Sequence, residues 1–191
     1  LWIPYINWAE DKMILEKYYL MQGRTAAGKV DRETGELRLL NTVPTLGADP
    51  CYVATNGREV LTANYSGGTM SVFPLQKDGT LAPAATLFQG SATGPDAIRQ
   101  ATPHIHCTVF SPDGKYIFAT DFSADRILRF VMHPDNPIPH ASLEAVGIEA
   151  DSGPRHLTFS LTGSLPISSP NCPVRSLPSV TTTAAWNRYR L

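Results

Sequence analysis

The feature that most constrains the fold of this chain is an internal repeat with an offset of 57 residues. Three pairs of residues keep this spacing: Gly57 and Gly114, Asn64 and Asp121, and Phe73 and Phe130. A third copy begins at Arg155, where RHLTFSLTG parallels HCTVFSPDG, 49 residues earlier. Repeats of about 40–50 residues that each hold about four strands are typical of propeller blades. The sequence therefore predicts an all-β fold, a β-propeller of four-stranded antiparallel blades.

The segment 103–130, PHIHCTVFSPDGKYIFATDFSADRILRF, shows the predicted layout of one blade. Two apolar runs flank the tetrad Ser-Pro-Asp-Gly, whose proline and glycine suit the special backbone angles of a tight turn. A polar turn follows, and the run 126–130 then alternates charged and apolar residues as a half-buried strand does. We expect Gly57, Gly114 and Gly163 to lie in turns between the first two strands of successive blades.

Composition excludes some classes of function and favours others. The formal net charge of −1 gives no general attraction to nucleic acid or to an anionic membrane, and neither is predicted as a partner. No apolar run reaches the 18 residues expected of a membrane span. The three cysteines, Cys51, Cys107 and Cys172, lack metal-ligand spacing and favour a reducing, cytoplasmic location, with Cys51 and Cys107 expected to be buried. We predict neither a metal nor another cofactor.

The chain divides into three parts by pattern. Residues 1–29 do not match the repeat and are left unassigned. The sequence leaves open whether a signal peptide ahead of Leu1 has been lost. Residues 30–163 are expected to form the blades. Residues 164–191 contain several prolines and no alternation, so an irregular tail is expected, because each proline removes a ladder donor.

Three motifs together carry a resemblance to a known family: PHIHCTVFSPDG, the following DRI, and GPRH. With ANYSGGTMSVFPL and its trailing DGTL, they resemble the lactonase family of seven-bladed β-propellers over about residues 30–162. The resemblance implies that this chain supplies about three to four of seven blades. An unclosed ring would leave a sheet edge unpaired, so poor solubility and no activity are expected of the 191 residues alone.

The tail departs from the family pattern directly after Gly163. We interpret it as a frameshifted reading of a further blade, since a single restored base can yield an alternating, turn-containing sequence. The restored sequence would place a glutamate at Asn171. The resemblance implies an acidic catalytic residue there.

Six residues are candidates for a site. His104 and His106 are two apart in a strand and are expected to share one face. Imidazole can serve acid–base catalysis, and a structural pair bonded to the backbone is the alternative. Arg155 lies at the position of His106 in the next repeat, and the resemblance implies catalytic roles for His106 and Arg155. The full prediction has His106, Arg155 and His104 as catalytic, and Arg126, His156 and Arg99 as substrate-binding. For Arg126, a pairing with Asp121 or Asp125 is the stronger alternative.

The resemblance also implies an activity. That activity is hydrolysis of 6-phosphogluconolactone to 6-phosphogluconate in the pentose phosphate pathway, with a phosphorylated sugar lactone as the small-molecule partner. A cycloisomerase of the muconate-lactonising kind and a non-catalytic binding platform are the alternatives. Neither the preferred lactone nor the oligomeric state follows from the sequence.

Overall fold

A computed structural model describes residues 23–132 and 143–159, together with the backbone of residues 167–168. Regular structure within these residues is entirely β. The twelve strands are β1 (Arg24–Val30), β2 (Leu37–Pro44), β3 (Pro50–Thr55), β4 (Glu59–Asn64), β5 (Thr69–Pro74), β6 (Thr86–Gln89), β7 (Ile105–Phe110), β8 (Tyr116–Asp121), β9 (Arg126–Val131), β10 (Leu143–Gly147), β11 (His156–Leu157) and β12 (Ile167–Ser168).

The strands form two complete blades flanked by two strand pairs. Blade I is the antiparallel sheet β3-β4-β5-β6, and blade II is β7-β8-β9-β10. The hairpin β1-β2 precedes blade I, and the pair β11-β12 follows blade II. The prediction of an all-β fold built from four-stranded antiparallel blades is confirmed.

The offset of the repeat is preserved in the middle of each blade but not at its start. Strands β4 and β5 match β8 and β9 at the predicted offset, whereas β7 begins 55 residues after β3. The difference arises in the first turn, which spans 56–58 in blade I and the longer 111–115 in blade II. Gly57 and Gly114 have φ of 85° and 69° in these turns, as their turn role requires. Gly163 lies outside the described residues.

Apolar side chains on both faces of each blade are buried against the neighbouring units. Leu61 and Met70 of blade I pack with Ile117 and Leu128 of blade II in the largest cluster. The opposite face of blade II, which includes Phe118, packs with Leu157 of β11. This arrangement explains why β4 and β8 are buried along almost their whole length rather than at alternate positions.

The strands extend beyond the boundaries expected for the blades. β1 begins at Arg24, ahead of residue 30, and β12 lies within the tail expected to be irregular. The other residues of 1–22 and 160–191, including position 171 of the frameshift interpretation, lie outside the described part.

One of the two cysteines expected in the interior is exposed. Cys107 is fully buried, as predicted, but Cys51 is exposed, and the prediction for Cys51 is wrong. Cys51 lies at an irregularity in β3, where Pro50 pairs with Asn64 and Tyr52 pairs with Ala63. Cys51 is therefore an extra residue without a partner in the ladder.

Candidate functional site

His106 lies at an irregularity that blade II shares with blade I. Ile105 pairs with Asp121 and Cys107 pairs with Thr120, so His106 is the extra residue in β7, at the position that Cys51 has in β3. Bulges of this kind redirect a side chain and occur often beside active sites. The His106 residue is only 6% exposed.

Arg155 comes directly before β11 and reaches back to blade II. Its Nε donates a hydrogen bond of 2.9 Å to Nε2 of His106. The backbone at Arg155 is held by Thr120, whose Oγ1 donates to the Arg155 carbonyl at 3.1 Å. Within the described residues no carboxylate forms an ion pair with this guanidinium.

The surroundings of His106 fix its protonation state. Burial, followed by the nearby Arg155 and His156, lowers its pKa to about 4. The imidazole is therefore neutral at pH 7. Because Nε2 accepts the Arg155 hydrogen bond, the proton of the neutral ring is on Nδ1. That nitrogen is buried and has no hydrogen-bond partner among the described residues.

His104 is half-buried and engaged in contacts with blade I. Its Nδ1 lies 2.9 Å from the carbonyl oxygen of Tyr65, to which it donates. Its ring stacks on the Tyr65 ring with a centroid distance of 4.2 Å and an angle of 6°. Thr102 Oγ1 lies 3.4 Å from the other ring nitrogen. These contacts tie the start of blade II to the turn that follows β4.

Tyr65 is the residue of this site that the sequence analysis missed. Its ring lies edge-on to His106 at 5.5 Å and to Phe122 at 5.8 Å, in addition to its stacking on His104. Burial raises the pKa of Tyr65, while the charges of Arg155 and Arg99 act in the opposite direction. A usable signal was present in the sequence, because the repeat aligns Tyr65 with another aromatic residue, Phe122.

The other three candidates lie at different distances from the His106–Arg155 pair. His156 lies largely exposed and edge-on to His106 at 5.1 Å; the partial burial of its ring and the charge of Arg155 lower its pKa. Arg99 lies with its guanidinium carbon 5.2 Å from the centre of the Phe122 ring.

Arg126 is held by a carboxylate instead. Its Nε and Nη2 lie 3.0 and 2.9 Å from Oδ2 of Asp121. The structure thus brings His104, His106, Arg155 and His156 together, with Arg99 at the edge of the group.

Two further observations concern the described residues as a whole. They contain no group of three His, Cys, Asp or Glu side chains placed to hold a metal ion. They also contain no helix of the length and apolar character needed to cross a membrane.

The architecture agrees with what comparison with known proteins shows. Residues 7–165 match the family model described as lactonase, 7-bladed beta-propeller, and the chain belongs to this family. The match begins at residue 7, within the segment 1–29 that the sequence left unassigned and unlike the family.

Individual relatives point the same way. The chain is 34% identical to 6-phosphogluconolactonase of Bacillus subtilis, over 72% of this chain and 39% of that protein. It is 82% identical to a crystal structure of a candidate 6-phosphogluconolactonase from Bacteroides uniformis, with a TM-score of 0.70, over 78% of this chain and 47% of the other. A similar candidate from Bacteroides fragilis is 42% identical with a TM-score of 0.70, over 76% and 43% of the two chains. The chain therefore spans less than half the length of each of these relatives.

Proposed function

We propose that the propeller to which this chain belongs is a lactone hydrolase that converts 6-phosphogluconolactone to 6-phosphogluconate in the cytoplasm. The observation that carries the proposal is the hydrogen bond between Arg155 and His106. It places a permanent cation and a neutral imidazole side by side at equivalent positions of neighbouring blades. The names of the relatives support the choice of lactone.

The first step of lactone hydrolysis requires stabilisation of an oxyanion. Water attacks the carbonyl carbon of the lactone, a new C–O bond forms, and the carbonyl electrons move to the oxygen. The Arg155 guanidinium donates hydrogen bonds to that oxygen from nitrogens other than Nε. A single well-placed donor of this kind is worth about 10²–10³ in rate.

The proton of the attacking water needs an acceptor. In the free site the lone pair of His106 Nε2 accepts the hydrogen bond from Arg155 Nε. We propose that the carbonyl of the bound lactone attracts the guanidinium away from His106, so that this lone pair becomes available. Nε2 then accepts the proton. As the tetrahedral intermediate collapses, the ring C–O bond breaks and the leaving alkoxide takes this proton back from the imidazolium. A His106 pKa of about 4 makes that imidazolium a stronger acid than an ordinary one and so favours the second transfer.

The test uses the complete propeller that carries this sequence, with purified 6-phosphogluconolactone and proton release as the readout. We expect hydrolysis well above the spontaneous rate. The variant Arg155→Lys should lower kcat/KM by about 10²–10³-fold, because a lysine cannot both bond to His106 and present further donors in a fixed plane.

A matched control is Arg58→Lys, an exposed position in the turn between β3 and β4, which should leave kcat/KM unchanged. Hydrolysis at no more than the spontaneous rate in the wild-type protein would refute the proposal. Loss of ultraviolet absorbance from muconate in the same preparation would instead favour the cycloisomerase alternative.

A further inference from the structure

Tyr65 and Phe122 occupy the same place in consecutive blades. Each is the first residue after the second strand of its blade, since β4 ends at Asn64 and β8 ends at Asp121. The backbone N–H of Tyr65 donates to the carbonyl of Asp49 at 2.9 Å, and that of Phe122 donates to the carbonyl of His104 at 2.9 Å. Both rings are therefore held by the same backbone geometry.

Both rings also pack on the start of the following blade. Tyr65 stacks on His104, which begins blade II. Phe122 lies against Gly153, close enough that a Cβ built on that glycine would be 2.7 Å from the ring. Because phenylalanine performs this packing in blade II, the ring alone satisfies the fold, and the hydroxyl of Tyr65 is not needed for it.

The Tyr65 hydroxyl forms no hydrogen bond within the described part of the chain. Its ring contacts two residues that each lie beside an arginine. One is His106, bonded to Arg155, and the other is Phe122, against which Arg99 lies. The charges of both arginines act on the Tyr65 hydroxyl, and an O–H donor in such surroundings is suited to a negatively charged oxygen.

We propose that the Tyr65 hydroxyl contacts the phosphate of a phosphorylated sugar substrate, with Arg99 supplying charge, while Arg155 and His106 act on the carbonyl at the other end of the molecule. This inference rests on the proposed function and extends it, because it names the residue that distinguishes a phosphorylated lactone from an unphosphorylated one. Burial keeps the Tyr65 pKa above its ordinary value, so the hydroxyl is a donor at neutral pH.

The experiment measures binding rather than turnover. Calorimetric titrations of the complete propeller use 6-phosphogluconate and gluconate, which share the sugar-acid chain and differ in the phosphate. Tyr65→Phe should weaken binding of 6-phosphogluconate by about 10-fold or more, as expected for a hydrogen bond to a charged group. Affinity for gluconate and the melting temperature should not change. Tyr116 lies at the start of β8, at the end of the strand that is far from Phe122. Tyr116→Phe also removes a hydroxyl but should change the affinity for neither ligand.

Each other result overturns the proposal. Unchanged affinity for 6-phosphogluconate in Tyr65→Phe would mean that the hydroxyl does not contact the phosphate. Equal losses of affinity for both ligands would mean that the hydroxyl contacts the sugar-acid chain. A lower melting temperature would mean that the hydroxyl stabilises the fold. Failure of the wild-type protein to bind 6-phosphogluconate would also refute it. Lactone turnover, measured in the same samples, tests the hydrolase function separately: binding without turnover would refute the hydrolase and leave the phosphate contact standing.

Discussion

Asp121 and Arg126 form an ion pair at the place where blade I has a neutral hydrogen bond. The Asp121 side chain is fully buried, and Arg126 donates to its Oδ2 from two nitrogens. At the equivalent positions of blade I, Nδ2 of Asn64 donates to Oγ1 of Thr69 at 2.9 Å. Burial raises the pKa of Asp121, and Arg126 acts against that rise.

This relationship predicts that the protein tolerates replacement of both residues by the blade I pair, but not the loss of Arg126 alone. Arg126→Thr alone leaves a buried carboxylate without its cation and should destabilise the protein by about 2–3 kcal/mol, somewhat below the cost for a fully buried pair because Arg126 is partly exposed. The double variant Asp121→Asn with Arg126→Thr recreates the blade I pair and should lie within about 1 kcal/mol of the wild type. Denaturant unfolding of the three proteins measures this difference.

The pH dependence of the single variant gives a second check on the ion pair. Without Arg126 the pKa of Asp121 rises further, so the folded state favours the protonated acid. Stability is then retained at low pH and lost as pH rises through the folded pKa. The defect of Arg126→Thr should therefore be smaller near pH 4 than at pH 7, and a pH-independent defect would contradict this account.

A second prediction concerns the pH profile of catalysis. If His106 accepts the proton of the attacking water, it must be unprotonated, and its pKa is lowered to about 4. After subtraction of the spontaneous reaction, kcat/KM should show no inflection near 6.5, the ordinary histidine value, and should fall only toward about pH 4. An inflection near 6.5 would show that a different histidine controls the rate.

The charge of Arg155 provides the matched variant for that profile. Arg155→Met removes the cation that is the second cause of the lowered His106 pKa, after burial. The residual activity should titrate at a pKa higher than about 4, yet still below that of a free histidine, because the burial remains. A titration of His106 by NMR measures this shift even if activity is too low to follow.

Much of the fold followed from the repeat because the repeated residues determine local geometry. Gly57 and Gly114 mark turns with positive φ, and the apolar runs after them are the buried second strands. The first turn of blade II is two residues longer than that of blade I, and this difference does not alter the alternation of apolar and polar residues in the flanking strands. The bulges at Cys51 and His106 were also hidden, because a bulge exists only relative to the partner strand.

The residues of the candidate site could be proposed from the sequence only where a motif or the repeat marked them. His104 and His106 were proposed from their alternate spacing, and Arg155 from its place in the next repeat. Tyr65 was missed because it follows a strand directly and precedes two glycines, which is typical of a turn. Its contacts with His104 and His106 join residues about 40 positions apart, and no local pattern encodes a contact of that range.

The last prediction concerns Asp125, which joins the two segments that carry Arg99 and Arg155. Its Oδ1 accepts hydrogen bonds from Gln100 Nε2 and from the backbone N–H of Gly153, each at 2.8 Å. Its Oδ2 accepts from the N–H of Asp151, also at 2.8 Å. Gln100 adjoins Arg99 in the chain, and Gly153 precedes Arg155 by two residues, so one buried carboxylate anchors both.

The repeat supplies the variant that isolates this role. Asp125 has φ of 49°, and the equivalent residue of blade I, Gly68, has φ of 60°. Asp125→Gly therefore keeps the backbone conformation while it removes these three hydrogen bonds and a longer one from Ser152 Oγ to Oδ1, at 3.5 Å. We expect a loss of at least about 2 kcal/mol in unfolding free energy and faster amide exchange at Asp151 and Gly153, since a hydrogen bond to a charged group contributes about 1.5–3 kcal/mol.

The KM for the lactone should rise because Arg99 and Arg155 lose their common support. Gly57→Ala serves as the control, because it strains a positive-φ position of blade I (φ of 85°) where an added Cβ meets no other atom within 4 Å: it should destabilise the protein but leave exchange at Asp151 and Gly153 unchanged. Equal exchange at these two amides in Asp125→Gly and wild type would show that Asp125 does not hold the two segments.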